Sequence, residues 1–382
     1  MRMTISMRVF GSHRYSFNVP AKYVFKIVLV PEKVSVATGF HYVILLDTSG
    51  SMAGIKIDLA RRGAAELISR IPKGNKVTLI TFSSSVNTIF EFADAGNPYN
   101  LDSVSAGGTT ALYTALLTAI NVIKKYGMPA YVVLLTDGVP TDVTDEENYK
   151  RIEFPKDTKV IAYGIGDDYN ESLLRALADS TGGILEHVSD VTQIVNALPK
   201  AAVTSIGGKS IKVDIAGEGQ IKLLNFKGPP VQINALEGAV TIWGEISMPA
   251  NYKGTLLSVN TTYVEPATNE TKTLSATLSV EPAKDASQYA SGINQDLISE
   301  YNYYMLLDKY SKDLSATNLA EATRTLNQLT QLAQQTRRLD LMENTKRLQT
   351  SLEQTKRLGS TESTKRLAKE VQSEVTKKLR SS

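Results

Sequence analysis

The chain has no cysteine, and its 382 residues include one tryptophan and only three histidines, His13, His41 and His187. Without cysteine there is no disulfide, no thiolate metal site and no thiol nucleophile. Histidines this scattered offer neither zinc-ligand spacing nor a histidine-based triad. No apolar run reaches the ~18 residues that a membrane-spanning helix needs, so no membrane insertion is expected. Met1 to Arg8 lacks the uninterrupted apolar core of a secretion signal. A soluble, cytoplasmic protein is therefore the expectation. A phosphate-binding loop is absent, and Gly164-Ile165-Gly166 lacks the third glycine of a dinucleotide fingerprint.

The composition that remains, 42% apolar and 21% charged, is that of a globular protein long enough for two or three domains. The net charge of +3 hides an asymmetry. Residues 336–382 carry 12 Lys/Arg against 6 Asp/Glu, so this tail is +6 and the rest of the chain is −3. A basic tail on a faintly acidic body points to a separate task for the tail.

Residues 1–37 read as alternating strands. Residues 38–200 alternate strand and helix at thirty-odd residues, the pattern of a doubly wound parallel sheet. Strands are expected at 42–47, 77–83, 87–91, 131–136, 159–164 and 184–187, with helices at 56–71, 110–126, 171–180 and 190–198. Residues 201–285 return to short alternating runs punctuated by Gly, Pro and Asn, as in an antiparallel sandwich. Since the first 37 residues need partners, the α/β unit is expected as an insertion in that β-sandwich. From 286 to 335 the apolar period is helical. Leu297, Ile298, Tyr301, Met305 and Leu306 form one stripe, and Leu319, Ala322, Leu326, Leu329 and Ala333 another, predicting a helical hairpin that turns at Asp313–Thr317.

The densest chemistry lies in Asp47-Thr48-Ser49-Gly50-Ser51-Met52, directly after the apolar run Tyr42–Leu46. One Asp and two Ser past the carboxyl end of a strand set hard oxygen donors around one point, at the place where α/β sheets bind ligands. Such oxygens suit Mg²⁺ or Mn²⁺. A capped helix entry would be the purely structural use of the same residues. The run from Asp47 to Lys56, D-x-S-G-S-M-x-G-x-K, resembles the metal-ion-dependent adhesion site of von Willebrand factor A (VWA) domains. Gly107-Gly108-Thr109-Thr110-Ala111-Leu112-Tyr113 resembles that family's second loop and Leu134-Leu135-Thr136-Asp137-Gly138 its third. The resemblance implies Mg²⁺ (or Mn²⁺) held by Ser49, Ser51 and Thr110, with Asp47 and Asp137 around it, and an open position for an acidic group from a partner. Thr109 is the alternative to Thr110. Arg61 and Arg62 on the following helix are expected to face solvent, Asp142 to be a loop residue, and Asp167-Asp168 to be a turn and helix cap. No histidine, cysteine or lysine is placed by motif as a general base, so a binding protein and not an enzyme is expected.

The tail repeats one unit five times: Thr, two basic residues, Leu, beginning at Thr336, Thr345, Thr355, Thr364 and Thr376. Threonine spacings of 9, 10, 9 and 12 rotate successive leucines by roughly 180°, 280°, 180° and 120° on a helix, so the five cannot line one seam. Leu341, Leu348 and Leu352 allow a local stripe, and the first one or two units can sit on a helix, but a common packed face does not explain all five copies; a linear motif on a flexible tail explains them better. Basic residues beside threonine suit a Ser/Thr kinase. Leucine at +3 is the position that forkhead-associated (FHA) domains commonly read after phosphothreonine. The arrangement resembles the trunk of vesicle-coat proteins and the inter-alpha-trypsin-inhibitor heavy chains, and with its tail the archaeal VWA proteins that partner FHA-domain proteins in archaellum regulation. That resemblance implies a regulatory scaffold, a kinase and a phosphatase acting on the five threonines, and an FHA-domain partner. The rival readings are nucleic-acid binding by the +6 tail, which has no interleaved aromatic after Tyr310, and service as the VWA partner of a separate ATPase.

Overall fold

The computed structural model of the chain describes residues 4–336 and 338–378, the side chains at 361, 362 and 376–378 excepted. An α/β unit sits inside a β-sandwich, and four helices close the chain.

The strand Ala21–Pro31 lies between Ile5–Gly11 and Val240–Met248, both antiparallel to it. Its alternate residues Phe25, Ile27 and Leu29 are fully buried and meet Ile211, Val213 and Leu257 of the opposing sheet. That second sheet runs Val231–Ala235, Lys209–Gly217, Gly254–Val264, Thr271–Pro282 and Tyr15–Ser16. Residues from both ends of the insertion thus build one core.

The inserted unit is a six-stranded sheet ordered Ile184–Val188, Thr158–Ile165, Ala130–Thr136, His41–Asp47, Lys76–Phe82 and Val86–Asp94. Two apolar clusters cover its faces. Five strands are parallel. The sixth, Val86–Asp94, is antiparallel to its neighbour, which corrects the wholly parallel sheet expected above. Only Ser83–Ser85 separate it from the strand before, and a parallel return needs a crossover of a dozen or more residues.

The C-terminal helices are Gln295–Ser315, Leu319–Thr336, Leu339–Leu358 and Thr361–Lys378, here the first to fourth bundle helices. The expected flexible tail is instead two packed helices. Leu341, Leu348, Leu352, Leu367, Val371 and Val375 join one cluster with Tyr303, Leu307, Leu326 and Leu329. The boundary expected at 336 falls within this bundle. The rotation argument holds for the repeat leucines, since Leu348 and Leu367 are 3% and 4% exposed while Leu339 and Leu358 are 74% and 72% exposed. The missing face comes from apolar residues between the repeats: Leu341 lies seven before and Leu352 four after Leu348, and Val371 and Val375 lie four and eight after Leu367.

The bundle is fixed to both other units. Trp243 of the sandwich packs against Tyr301 and Tyr304 of the first bundle helix, with Lys26 over its ring and paired to Glu300. The fourth helix lies along the edge strand Ile184–Val188. Its Lys369 is buried, donates to the carbonyl of Asp167 and sits 4.2 Å from the centre of the Tyr169 ring. A helix over an open sheet edge protects unpaired strand groups from other chains.

Candidate functional site

His41–Asp47 and Ala130–Thr136 are central neighbours in register, Leu46 facing Leu135. Their carboxyl ends therefore deliver Asp47 and Asp137 side by side. Asp47 is fully buried; its Oδ1 accepts from the Ser49 amide at 2.8 Å and its Oδ2 from the Thr136 hydroxyl at 2.5 Å. Burial pushes its carboxyl above the usual range, and the bonds from Ser49 and Thr136 work against that rise. A continuous polar chain follows. The Ser49 and Ser51 hydroxyls lie 3.0 Å apart, Ser51 donates to Asp137 Oδ1 at 2.7 Å, and Lys56 Nζ donates to Asp137 Oδ2 at 2.5 Å.

The second loop is held against the first by backbone bonds from Gly107 N to Thr48 O and from Gly50 N to Gly108 O. Gly108 has φ +82°, and a Cβ there would stand 2.5 Å from Ser84 Oγ, so only glycine fits. Thr109 and Thr110 then point to different places. Thr109 is exposed and donates from both its amide and its hydroxyl to Ser84 Oγ. Thr110 is buried, and its Oγ1 and Ser51 Oγ are the atoms that a Cβ on Gly138 would approach, at 3.5 and 3.7 Å. Asp47, Ser49, Ser51, Thr110 and Asp137 are thus gathered at one place. Gly138 lies in ordinary contact range of two of these hydroxyls.

This donor set, three neutral hydroxyls with two carboxylates beside them, fits a hard divalent cation. Among the described residues there is no cluster of three or more His, Cys, Asp or Glu that could hold a metal.

Several neighbours carry roles that the sequence did not reveal. Arg61, expected to face solvent, donates to the carbonyls of Asp102 and Val104 and so clamps the segment leading into Gly107; Arg62 is exposed as expected. Asp142 is more than a loop residue: it accepts from the Thr114 amide and hydroxyl and from the Tyr113 amide, capping the helix Leu112–Tyr126. The cap expected at Asp167-Asp168 belongs to Asn170, whose side chain accepts from Leu173 N. Cap geometry depends on where the helix starts, which two adjacent aspartates do not specify.

Of the repeat threonines, Thr345, Thr355 and Thr364 are buried and Thr336 is partly buried. Thr345 donates to Leu341 O at 2.7 Å and Thr336 to Ala333 O at 2.7 Å. The Thr376 side chain and Leu379 lie outside the described residues. The paired basic residues Lys346, Arg347, Lys356, Arg357, Lys365 and Arg366 are all exposed.

Comparison with known proteins agrees with both halves of this description. Residues 42–200 match the von Willebrand factor type A domain. Residues 295–381 match the C-terminal domain of archaellum regulatory network B. The crystal structure of the ArnB paralog VWA2 from Sulfolobus acidocaldarius superimposes with a TM-score of 0.86 at 27% identity, over 99% of this chain and 98% of that one. A von Willebrand factor type A protein from Catenulispora acidiphila shares the fold, with a TM-score of 0.68 at 14% identity over 91% of this chain and 90% of its own. A VWA domain-containing protein of Dictyostelium discoideum is 27% identical over 168 residues, which are 42% of this chain but only 18% of that protein. Fold and loops together define a VWA-domain protein, a class in which a metal is commonly bound at the adhesion site. More narrowly, the chain joins that domain to a C-terminal domain of archaellum regulatory network B and shares its whole fold with the ArnB paralog VWA2.

Proposed function

We propose that this protein is a cytoplasmic, non-enzymatic interaction scaffold in archaellum regulation. The VWA unit offers a contact that depends on Mg²⁺ or Mn²⁺. The C-terminal repeats, phosphorylated on threonine, are the ligand of an FHA-domain partner, and the assembly represses archaellum expression. The observation that carries this reading is the joining of the VWA domain to an archaellum regulatory network B C-terminal domain that contains five Thr-basic-basic-Leu units. Among the described residues no helix is long and apolar enough to cross a membrane.

The packing adds a condition. A kinase engages an extended segment, and buried Thr345, Thr355 and Thr364 become available only when the third and fourth bundle helices open locally. Each phosphate brings a charge of about −1.5 to −2. Returning it to an apolar interface is costly, so phosphorylation would hold these helices open. Kinase and phosphatase would then act on a folding equilibrium.

The test uses the full chain, phosphorylated by its own kinase, and an FHA domain from the same cell. Replacing Thr336, Thr345, Thr355, Thr364 and Thr376 together by Val is expected to remove binding. Full binding by that variant would refute the reading. The exposed basic pairs support a second reading, nucleic-acid binding. It requires strongly salt-dependent DNA affinity in the unmodified protein.

A further inference from the structure

Lys56 stands where local electrostatics disfavours it. It is the second residue of the helix Ile55–Arg70, and a cation in the first turn faces the positive end of the helix dipole. Its partner accounts for the placement. The Asp137 side chain is 1% exposed, one of its oxygens accepts from Ser51, and the other is taken by the Lys56 ammonium.

We propose that Lys56 is a tethered cation that competes with the divalent ion for Asp137 and sets the affinity of the site. The inference rests on the metal reading above and goes beyond it, because Lys56 is not a ligand. Two aspartates balance one divalent ion. With Lys56 beside them the loaded site carries one positive charge in excess, and one carboxylate from a partner neutralises it. Lys56 thus makes metal occupancy depend on the partner: the ion alone is held weakly, and ion and carboxylate are held together. A lysine stem is long enough to swing its ammonium toward solvent, and this side chain already has 29% of its surface exposed.

The experiment is calorimetric titration of the full chain with Mn²⁺ alone, for the natural protein, Lys56→Met, Lys56→Arg and Asp47→Ala. Lys56→Met is expected to bind Mn²⁺ roughly tenfold more tightly, the scale of one unit charge removed a few ångströms from the ion at a partly exposed site. Lys56→Arg keeps the charge and is expected to stay close to the natural protein. In chelator, Lys56→Met leaves a buried carboxylate unpaired, so its melting temperature falls and recovers more on adding Mn²⁺ than that of the natural protein. Should the methionine variant misfold, Lys56→Gln is measured in its place. Unchanged or weaker Mn²⁺ affinity on loss of the charge, with binding still abolished by Asp47→Ala, overturns the role of Lys56 and leaves the metal site standing. No Mn²⁺ binding by either the natural protein or Lys56→Met, or binding indifferent to Asp47→Ala, overturns the metal reading and this proposal with it.

Discussion

Leu348 and Leu358 occupy the same position of the same repeat, Thr-Lys-Arg-Leu, yet their environments are opposite. Leu348 is 3% exposed inside the bundle cluster, and Leu358 is 72% exposed at the end of the third helix. Truncating each to alanine separates a packing role from a recognition role. A buried Leu→Ala change costs about 2–5 kcal/mol, whereas the same change at an exposed position stays within about 0.5 kcal/mol. If the bundle of ~80 residues melts alone, its unfolding entropy near the midpoint is about 0.17 kcal/mol/K. A loss of ~3 kcal/mol then lowers the Leu348→Ala midpoint by roughly 15–20 °C. If the whole chain of ~380 residues melts as one unit, the entropy is about 0.8 kcal/mol/K and the shift only ~4 °C. The size of the shift thus reports whether the contacts of Trp243 and Lys369 couple the bundle to the other units. Calorimetry of the unphosphorylated protein supplies the measurement, and Leu358→Ala should melt with the natural protein. Binding of the phosphorylated protein to an FHA domain supplies the contrast, because a +3 reader would use both leucines. Equal, small melting shifts for the two variants would refute the packed third helix.

Three further outcomes follow from the same structure. Asp47→Ala is expected to abolish Mn²⁺ binding in calorimetry while the chain stays folded. The freed Ser49 amide and Thr136 hydroxyl lose their acceptor at a cost of about 1–3 kcal/mol, which circular dichroism melting should register. Removing residues 1–37 takes away Ala21–Pro31 from the middle of its sheet and exposes the edge of Val240–Met248, so the truncated chain should aggregate; a soluble, cooperatively melting product would count against the inserted layout. Burial holds His41 at about 4, below its ordinary 6.5, so between these values the unfolded chain binds a proton that the folded chain does not. Its contribution, roughly 2–3 kcal/mol after allowance for partial burial, is present above pH 6.5 and is lost as pH falls toward 4. Glu171, raised to about 7 by burial, acts in the opposite sense. The clean measurement is therefore denaturant titration at several pH values for the natural protein and His41→Gln, the variant showing a flatter acid limb.

Local pattern carried most of the architecture. Period-two runs marked the sandwich strands on either side of the α/β unit. The apolar stretches ending in Asp47 and Thr136 marked two central strands, and their loops could be identified because glycine, serine and threonine recur there at fixed spacings. The polar chain of the site was partly legible in the same way. Asp47, Ser49 and Ser51 lie within five residues, and Asp137 follows a strand that must end at the same edge. What a single sequence leaves open is contact between residues far apart along it. The choice of Thr110 over Thr109 depends on which one Ser84 holds. The pairing of Lys56 with Asp137 and the clamp of Arg61 on Asp102 and Val104 depend on how helix and loops close over the sheet. The tail was the largest difference. Its repeat leucines circle a helix, and that geometry, true of each copy, argued for an exposed motif. Tertiary packing instead buried alternate copies, with Leu341, Leu352, Val371 and Val375 completing faces that the repeat alone does not contain. Helices in proteins take most of their stability from the packing of an apolar face, not from propensity. The first two bundle helices and the open edge at Ile184–Val188 give the third and fourth apolar surface to cover, and that surface exists only after the rest of the chain has folded.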